Sequence, residues 1–299
     1  MKITKSKVLS YLLLPLLLAG CASSDLYRVG SYNIRCDADW SIKADGINCW
    51  DQRKAGFVGH LKSLDLDVFG LQEVTPGQAR YIRENLPGFE FVGEHRDADR
   101  KSGEASPVCY RKSRFEALDS GTFWLSETPD TPGLKGWGAA CPRVCSYLIL
   151  RDRESGKKFC FANTHTDHVS AKAREQGMLL VIERMKKFGA GAPIVFTGDH
   201  NCRHADPPAV AVRKILDDAR DVAETPDPGP SNTFQGFGKY KDGPSDATGK
   251  AIVNDLRIDY IYVTPGTRVR DFITHGDKRG EGLYYSDHYP VTATIEFVQ

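Results

Sequence analysis

Apolar residues along the chain gather in short runs, and several of these runs end on a polar cluster. Alternating or continuous apolar stretches predict strands over residues 26–34, 67–71, 89–92, 106–110, 115–124, 145–150, 158–164, 194–197, 258–263, 267–274 and 291–297. Helical spacing predicts helices over 51–64 (Phe57, Leu61, Leu64), 76–86, 171–188 and 207–216, with Pro76 in the first turn of the second. Strands outnumber helices, yet a helix often follows a strand. That pattern predicts an α/β fold in which two packed sheets carry helices on their outer faces. The polar clusters fall at strand ends, where rigid scaffolds usually present their sites.

The first residues read differently. Lys2, Lys5 and Lys7 precede an apolar run over 8–18 that is too short to span a bilayer and is interrupted by Pro15. Leu18-Ala19-Gly20-Cys21 then has the form of a lipobox. The expectation is a lipoprotein signal peptide over 1–20 and a single domain over 21–299, anchored to a membrane by acyl chains on Cys21. An ordinary secretory signal with a chance cysteine is the alternative. Ala22 after the lipid cysteine points to outer-membrane sorting in a double-membrane envelope, with the membrane face left open.

Composition adds limits. Losing the three signal lysines takes the formal charge from +1 to −2 (1 − 3). Such a chain has no overall positive field, so composition gives a nucleic-acid partner no support, although a local basic patch stays possible. Cys36, Cys49, Cys109, Cys141, Cys145, Cys160 and Cys202 follow Cys21. Export permits disulfides, and the odd count leaves at least one thiol unpaired within the chain. Cys36–Cys49 and Cys141–Cys145 are the candidate pairs, whereas Cys109 and Cys160 sit in apolar runs and read as buried.

The polar clusters carry the chemistry. In chain order they are Ser31-Tyr32-Asn33-Ile34-Arg35, Leu71-Gln72-Glu73-Val74, Asn163-Thr164-His165, Thr197-Gly198-Asp199-His200-Asn201, Arg257-Ile258-Asp259-Tyr260-Ile261 and Ser286-Asp287-His288. They offer carboxylates, amides and imidazoles without an obvious side-chain nucleophile. That inventory suits water activated by a hard divalent cation for attack on a phosphoester.

Six such motifs in this order resemble the endonuclease/exonuclease/phosphatase superfamily, over Asn33 to Pro290. The resemblance implies a four-layer αββα sandwich of two mixed sheets and dependence on Mg²⁺ or Mn²⁺. It implies Glu73 as the principal metal ligand, with Asn33 and Asp287 beside it. Asp199 would orient the attacking water, and Asn201 would hydrogen-bond the phosphate. His288 and Asp259 would form a His–Asp dyad. His165 would face the phosphate from the other side, backed by Glu104 in a second dyad unless Glu104 is a solvated loop charge. Asn163 would brace the site and contact substrate. Arg143 reads either as a phosphate clamp or as a surface arginine, and Tyr110 and Gln72 as neighbours of the substrate site. Asp167 and His168 read as loop or cap residues. His200 stands where relatives usually carry an apolar residue. It reads as a substitution of no consequence or, with Cys202 and His204, as a softer-metal site. Trp40, Trp50, Trp124 and Trp137 are candidates for a substrate rim or for the core.

The expected activity is divalent-metal-dependent hydrolysis of a phosphate ester, as a phosphodiesterase or phosphatase on a small substrate. A secreted endonuclease acting on DNA or RNA is one alternative. A catalytically inactive binding lipoprotein of the envelope is another.

Overall fold

Strand and helix formation follow the apolar pattern closely in this computed structural model, which describes residues 25–240 and 256–298. The expected signal segment, Cys21 and part of the polar loop around 239–250 lie outside the described residues. The strands are β1 (Leu26–Asn33), β2 (Val68–Gln72), β3 (Phe89–Val92), β4 (Val108–Arg111), β5 (Phe115–Trp124) and β6 (Val144–Asp152). They continue with β7 (Lys158–His165), β8 (Ile194–Asp199), β9 (Asp217–Asp218), β10 (Asp259–Val263), β11 (Thr267–Thr274) and β12 (Val291–Phe297). The helices are α1 (Asp39–Asp45), α2 (Trp50–Ser63), α3 (Pro76–Asn85), α4 (Ala171–Gly189), α5 (Pro207–Arg213) and α6 (Ala219–Val222).

Two six-stranded sheets result, ordered β11-β12-β1-β2-β4-β3 and β5-β6-β7-β8-β10-β9. Both are mixed: β1 runs parallel to β2 and β7 parallel to β8, while the other pairings are antiparallel. Phe57, Leu61 and Ile82 of α2 and α3 pack on Phe69 and Leu71 of the first sheet. Met178, Val181, Met185 and Val212 of α4 and α5 pack on Ala162 and Phe196 of the second. Helix, sheet, sheet and helix thus form four layers. No helix among the described residues is long and apolar enough to cross a membrane.

The seam between the sheets positions the site. Side chains alternate along a strand, so residues two apart share a face. Val29, Phe161, Val195 and Ile261 belong to the apolar core between the sheets. Two residues further toward one edge, Ser31, Asn163 and Thr197 replace them with a buried polar layer. The next step up that edge reaches Asn33, His165 and Asp199, with Asp259 entering on antiparallel β10 opposite Asp199. The strand period of two therefore converts an apolar core into a polar floor and then into a cluster of functional groups.

Asn163 is the keystone of that floor. Its Nδ2 donates to the carbonyls of Leu71 (2.8 Å) and Pro107 (3.0 Å), and its Oδ1 accepts from Gln72 Nε2 (2.6 Å) and Thr197 Oγ1 (3.1 Å). The amide ties one sheet to the other with all its bonding capacity used. Gly70 makes room for it: a Cβ there would lie 2.1 Å from Asn163 Oδ1.

Candidate active site

The strand ends converge on a cleft of about 620 Å³. Three non-glycine residues at those ends, Arg35, Glu73 and Asn201, have left-handed φ values of 58°, 63° and 46°. That conformation costs on the order of 1–3 kcal/mol per residue, and it is held only where neighbours over-determine it. Here it turns the chain sharply as each strand leaves its sheet. Glu73 would otherwise point away from the seam, and the turn aims its carboxylate back into the cleft. Arg53 of α2 fixes two of the surrounding loops. Fully buried, it donates to the carbonyls of Ile34 (2.6 Å), Arg35 (2.6 Å) and Tyr285 (3.0 Å), just ahead of Ser286-Asp287-His288.

Glu73 Oε2 accepts from the backbone N–H of Cys36 (2.9 Å), and Oε1 accepts from Asn33 Nδ2 (3.1 Å). Burial alone would raise its pKa, but these donors reverse that and hold the carboxyl below its ordinary value. Asn33 Nδ2 also donates to Asp199 Oδ2 (2.9 Å), while Asn33 Oδ1 accepts from the Arg35 N–H (3.0 Å). The Arg35 N–H takes one of the two lone pairs of that oxygen, and the amide nitrogen bridges Glu73 to Asp199.

His288 Nδ1 lies 2.8 Å from Asp259 Oδ2, and both side chains are buried. Burial disfavours the imidazolium, but the Asp259 charge and hydrogen bond outweigh it and push the His288 pKa up to about 10. On its other side, His288 Nε2 stands 3.7 Å from Asp199 Oδ2. Asp199 Oδ1 accepts from the Asn201 N–H at 2.9 Å. Burial, then the nearby Asp259 charge, pushes the Asp199 pKa up to about 7. The cluster thus pairs a fixed imidazolium with a buried carboxyl group at the wall of the cleft.

His165 joins this group but without the expected partner. Its Nε2 is 2.8 Å from Asn201 Nδ2 and 3.4 Å from Asp199 Oδ2. Burial first, then the charges of Arg143 and His288, hold it well below the usual histidine pKa, so it is neutral. The Glu104–His165 dyad is not made. Glu104 is instead taken by Arg96, at 2.7 Å, because the 93–105 loop folds back on itself through backbone bonds from His95 and Arg96. The Asn201 amide is also committed elsewhere: Nδ2 bonds His165 and the Thr166 carbonyl (3.1 Å), so it orients the imidazole rather than offering that nitrogen to phosphate.

Arg143 lines the cleft while only 6% exposed. Its Nη2 lies 3.1 Å from His168 Nδ1, and among the described residues its Nε has no hydrogen-bond partner and no carboxylate lies within ion-pair distance. The other two cleft arginines differ, since Arg35 pairs with Asp45 and Arg96 with Glu104. Glu104 and Asp167 act on it only through their charge, without a close ion pair, and an anion entering the cleft could pair with the buried guanidinium directly.

Other expectations resolve away from the chemistry. Asn163 is fully buried in the inter-sheet tie and does not reach a substrate. Tyr110 pairs with Val68 at the start of β2, the end of that strand remote from Glu73, and packs on the inter-sheet core. Asp167 accepts from the N–H groups of Val169, Ser170 and Ala140, arranging the entry to α4. His200, Cys202 and His204 do not gather into a metal site. His200 is buried with its ring parallel to Tyr260 and Tyr262, Cys202 joins the core under α4 and α5, and His204 meets Arg213 and faces Asp218 and Asp221. Neither candidate disulfide forms, since all seven described cysteines are free. Cys145 is turned into the α4-side core while Cys141 lies at the cleft. Of the tryptophans, Trp40 alone among the described residues lines the cleft. Arg53 and Arg96 belong to none of the six motifs, whereas Trp40, a candidate for the substrate rim, lies on the short helix α1 that no apolar periodicity predicts.

The donor set fits a hard divalent cation. Glu73 and Asp287 both line the cleft, and burial, together with the charge of Glu73, raises the Asp287 pKa. A cation between two such carboxylates would remove that repulsion. Asp287 is held by Ser286 Oγ (3.3 Å) and faces Arg35 (3.8 Å). Donor atoms of Asp199, Asp259 and His288 also lie within 4.8 Å of one another, although the His288–Asp259 hydrogen bond occupies two of them.

Two packed mixed sheets, with carboxylates and imidazoles gathered at one seam edge, define an α/β sandwich with a polar cleft at the strand ends. Residues 30–288 match the Endonuclease/Exonuclease/phosphatase family, and the chain belongs to it. An endonuclease/exonuclease/phosphatase of Bacteroides vulgatus is 34% identical, covers 91% of this chain and 99% of its own, and superposes with a TM-score of 0.83. A mannosyl-6-phosphatase of Bacteroides thetaiotaomicron is 33% identical over 91% of this chain and 100% of its own, with a TM-score of 0.79. Tyrosyl-DNA phosphodiesterase 2 of Bos taurus is 23% identical over 168 residues. The chain spans only 41% of the length of that curated relative.

Proposed function

We propose that this chain is a divalent-metal-dependent phosphomonoesterase acting on a small phosphorylated sugar. The observation that carries the reading is Arg143, a buried cation in no close ion pair among the described residues, in the same cleft as the Asp199–His288–Asp259 cluster. A dianionic phosphoryl group is the ligand that such a cation accepts well. The 33% identity to a mannosyl-6-phosphatase over that protein's full length supports a sugar phosphate. The phosphodiesterase relative shares less identity over a smaller part of its length.

In this reading Glu73 and Asp287 would hold Mg²⁺ or Mn²⁺. When bound, the cation supplies Lewis-acid stabilisation of charge on the phosphoryl oxygens. Asp199, fixed by Asn33 and the Asn201 N–H, orients the attacking water for in-line displacement. His288, kept charged by Asp259, offsets developing negative charge on a phosphoryl oxygen. Arg143 binds the same group, and neutral His165, oriented by Asn201, lines its other side.

The test is a substrate panel with Mg²⁺ present: hexose 6-phosphates, glycerol 3-phosphate, bis(p-nitrophenyl) phosphate, DNA and RNA. Inorganic phosphate release from the monoesters at a kcat/KM well above that for any diester is expected. Cleavage confined to diesters or nucleic acid would overturn the reading.

We further propose that a lipid on Cys21 holds the enzyme on the cell envelope, at the outer membrane. The lipobox Leu18-Ala19-Gly20-Cys21 supports it. Cys21→Ser should move the protein from the membrane to the soluble fraction, and unchanged membrane partition would refute it.

A further inference from the structure

One aromatic side chain at the cleft takes no part in this chemistry. Trp40 sits on α1 and lines the cleft with 60% of its surface exposed. Its environment on one side is fixed. The guanidinium of Arg35 lies 4.8 Å from the ring centroid, and Arg35 is itself locked to Asp45 by two hydrogen bonds of 3.0 Å. A backed, wet indole beside a catalytic cleft is a stacking platform awaiting a partner.

The same cleft holds a second unassigned feature, the Arg96–Glu104 pair at 2.7 Å, with each side chain 20% exposed. Glu104 does not serve His165, so the pair is free for another role. A guanidinium and a carboxylate side by side present donors next to acceptors. Neighbouring hydroxyls on one ring need that combination, each giving a hydrogen to the carboxylate or taking one from the guanidinium. A pyranose also presents a face of C–H groups, which suits an indole. A nucleobase would favour stacking on aromatic faces. The other aromatic at the cleft, Phe234, is already packed against His288 (4.9 Å) and Tyr240 (5.4 Å).

We propose that Trp40 and the Arg96–Glu104 pair form a subsite for the sugar ring of a hexose phosphate, and that this subsite sets selectivity among phosphomonoesters. The proposal rests on the phosphomonoesterase reading above. It adds the residues that recognise the part of the substrate not undergoing reaction.

The experiment compares kcat/KM for mannose 6-phosphate and glycerol 3-phosphate, the second having the phosphate but no ring. In Trp40→Ala the ratio of the two constants should fall about tenfold, mainly through KM for the hexose. Trp40→Phe should restore most of the ratio, and Glu104→Gln should lower it. Trp40 is largely exposed, so its loss leaves the core intact. An unchanged ratio in Trp40→Ala, or an equal loss of kcat on both substrates, would overturn the subsite while leaving the phosphatase reading standing. Absence of turnover of either monoester by the unaltered protein would instead overturn the reading beneath, and the subsite with it.

Discussion

His200 should make the fold sensitive to acid. The imidazole is fully buried, its plane lies within 9° of Tyr260 and 5° of Tyr262, and Phe196 packs at 4.8 Å. Neither ring nitrogen has a hydrogen-bond partner of good geometry, and the Thr197 carbonyl favours the charged form only in part. Burial dominates and pushes the pKa down to about 3, from 6.5 when exposed. The unfolded chain therefore binds a proton that the folded chain refuses. The contribution is fully present above the unfolded value and is lost as pH falls through 6.5 toward 3. With those two values, the folded state gives up about 2 kcal/mol between pH 7.5 and pH 5 through this residue alone. The assay is urea unfolding of the parent and of His200→Phe at both pH values. A constant packing cost of the larger ring cancels in the double difference. The parent should lose about 2 kcal/mol more than the variant on acidification. Equal losses would refute the buried neutral imidazole. Activity is expected to follow, because the His200 carbonyl accepts from Thr166 Oγ1 (2.6 Å) and its N–H donates to the Ile258 carbonyl (2.8 Å), bracing Asp199 and Asn201.

Two further outcomes follow from the site. Asn163→Ala would strip partners from Leu71, Pro107, Gln72 and Thr197 at once, and should cost about 3 kcal/mol or more in denaturant unfolding; a loss under about 1 kcal/mol would show that the inter-sheet tie is dispensable. Asp259→Asn should lower kcat by roughly 10²–10⁴-fold with the far-UV circular dichroism unchanged, because His288 loses the charge that keeps it protonated; near-parental kcat would remove the dyad from the chemistry.

Much of this site can be read from strand phase. The apolar runs ending at Asn33, His165 and Asp199 place alternate residues on one face, so chemistry at the seam edge follows from period two once the two sheets are known to pack. The same phase places Asn163 in the interior, in line with Phe159 and Phe161, rather than against substrate. Tyr110 was misplaced because its strand runs antiparallel to β2, which strand-end reasoning cannot sense from one sequence. Glu104 differs from the expected dyad for another reason: a motif resemblance does not reveal that Arg96, eight residues earlier, folds back on it. Trp40 lies in a short helix with no apolar periodicity to announce it. Arg53 is three residues from Trp50 and four from Phe57, on the buried face of its helix, but a charged residue there does not identify its carbonyl partners.

The proposed hydrolysis requires carboxylates from separate strands to act as one cation-dependent centre. The most direct measurement is phosphate release by protein stripped with chelator, followed through a Mg²⁺ titration, for the parent and for Glu73→Gln. Turnover should vanish without the cation and return saturably, with the half-saturating Mg²⁺ at least about tenfold higher in the variant. Full turnover in excess chelator, or the same half-saturation in both proteins, would contradict the account.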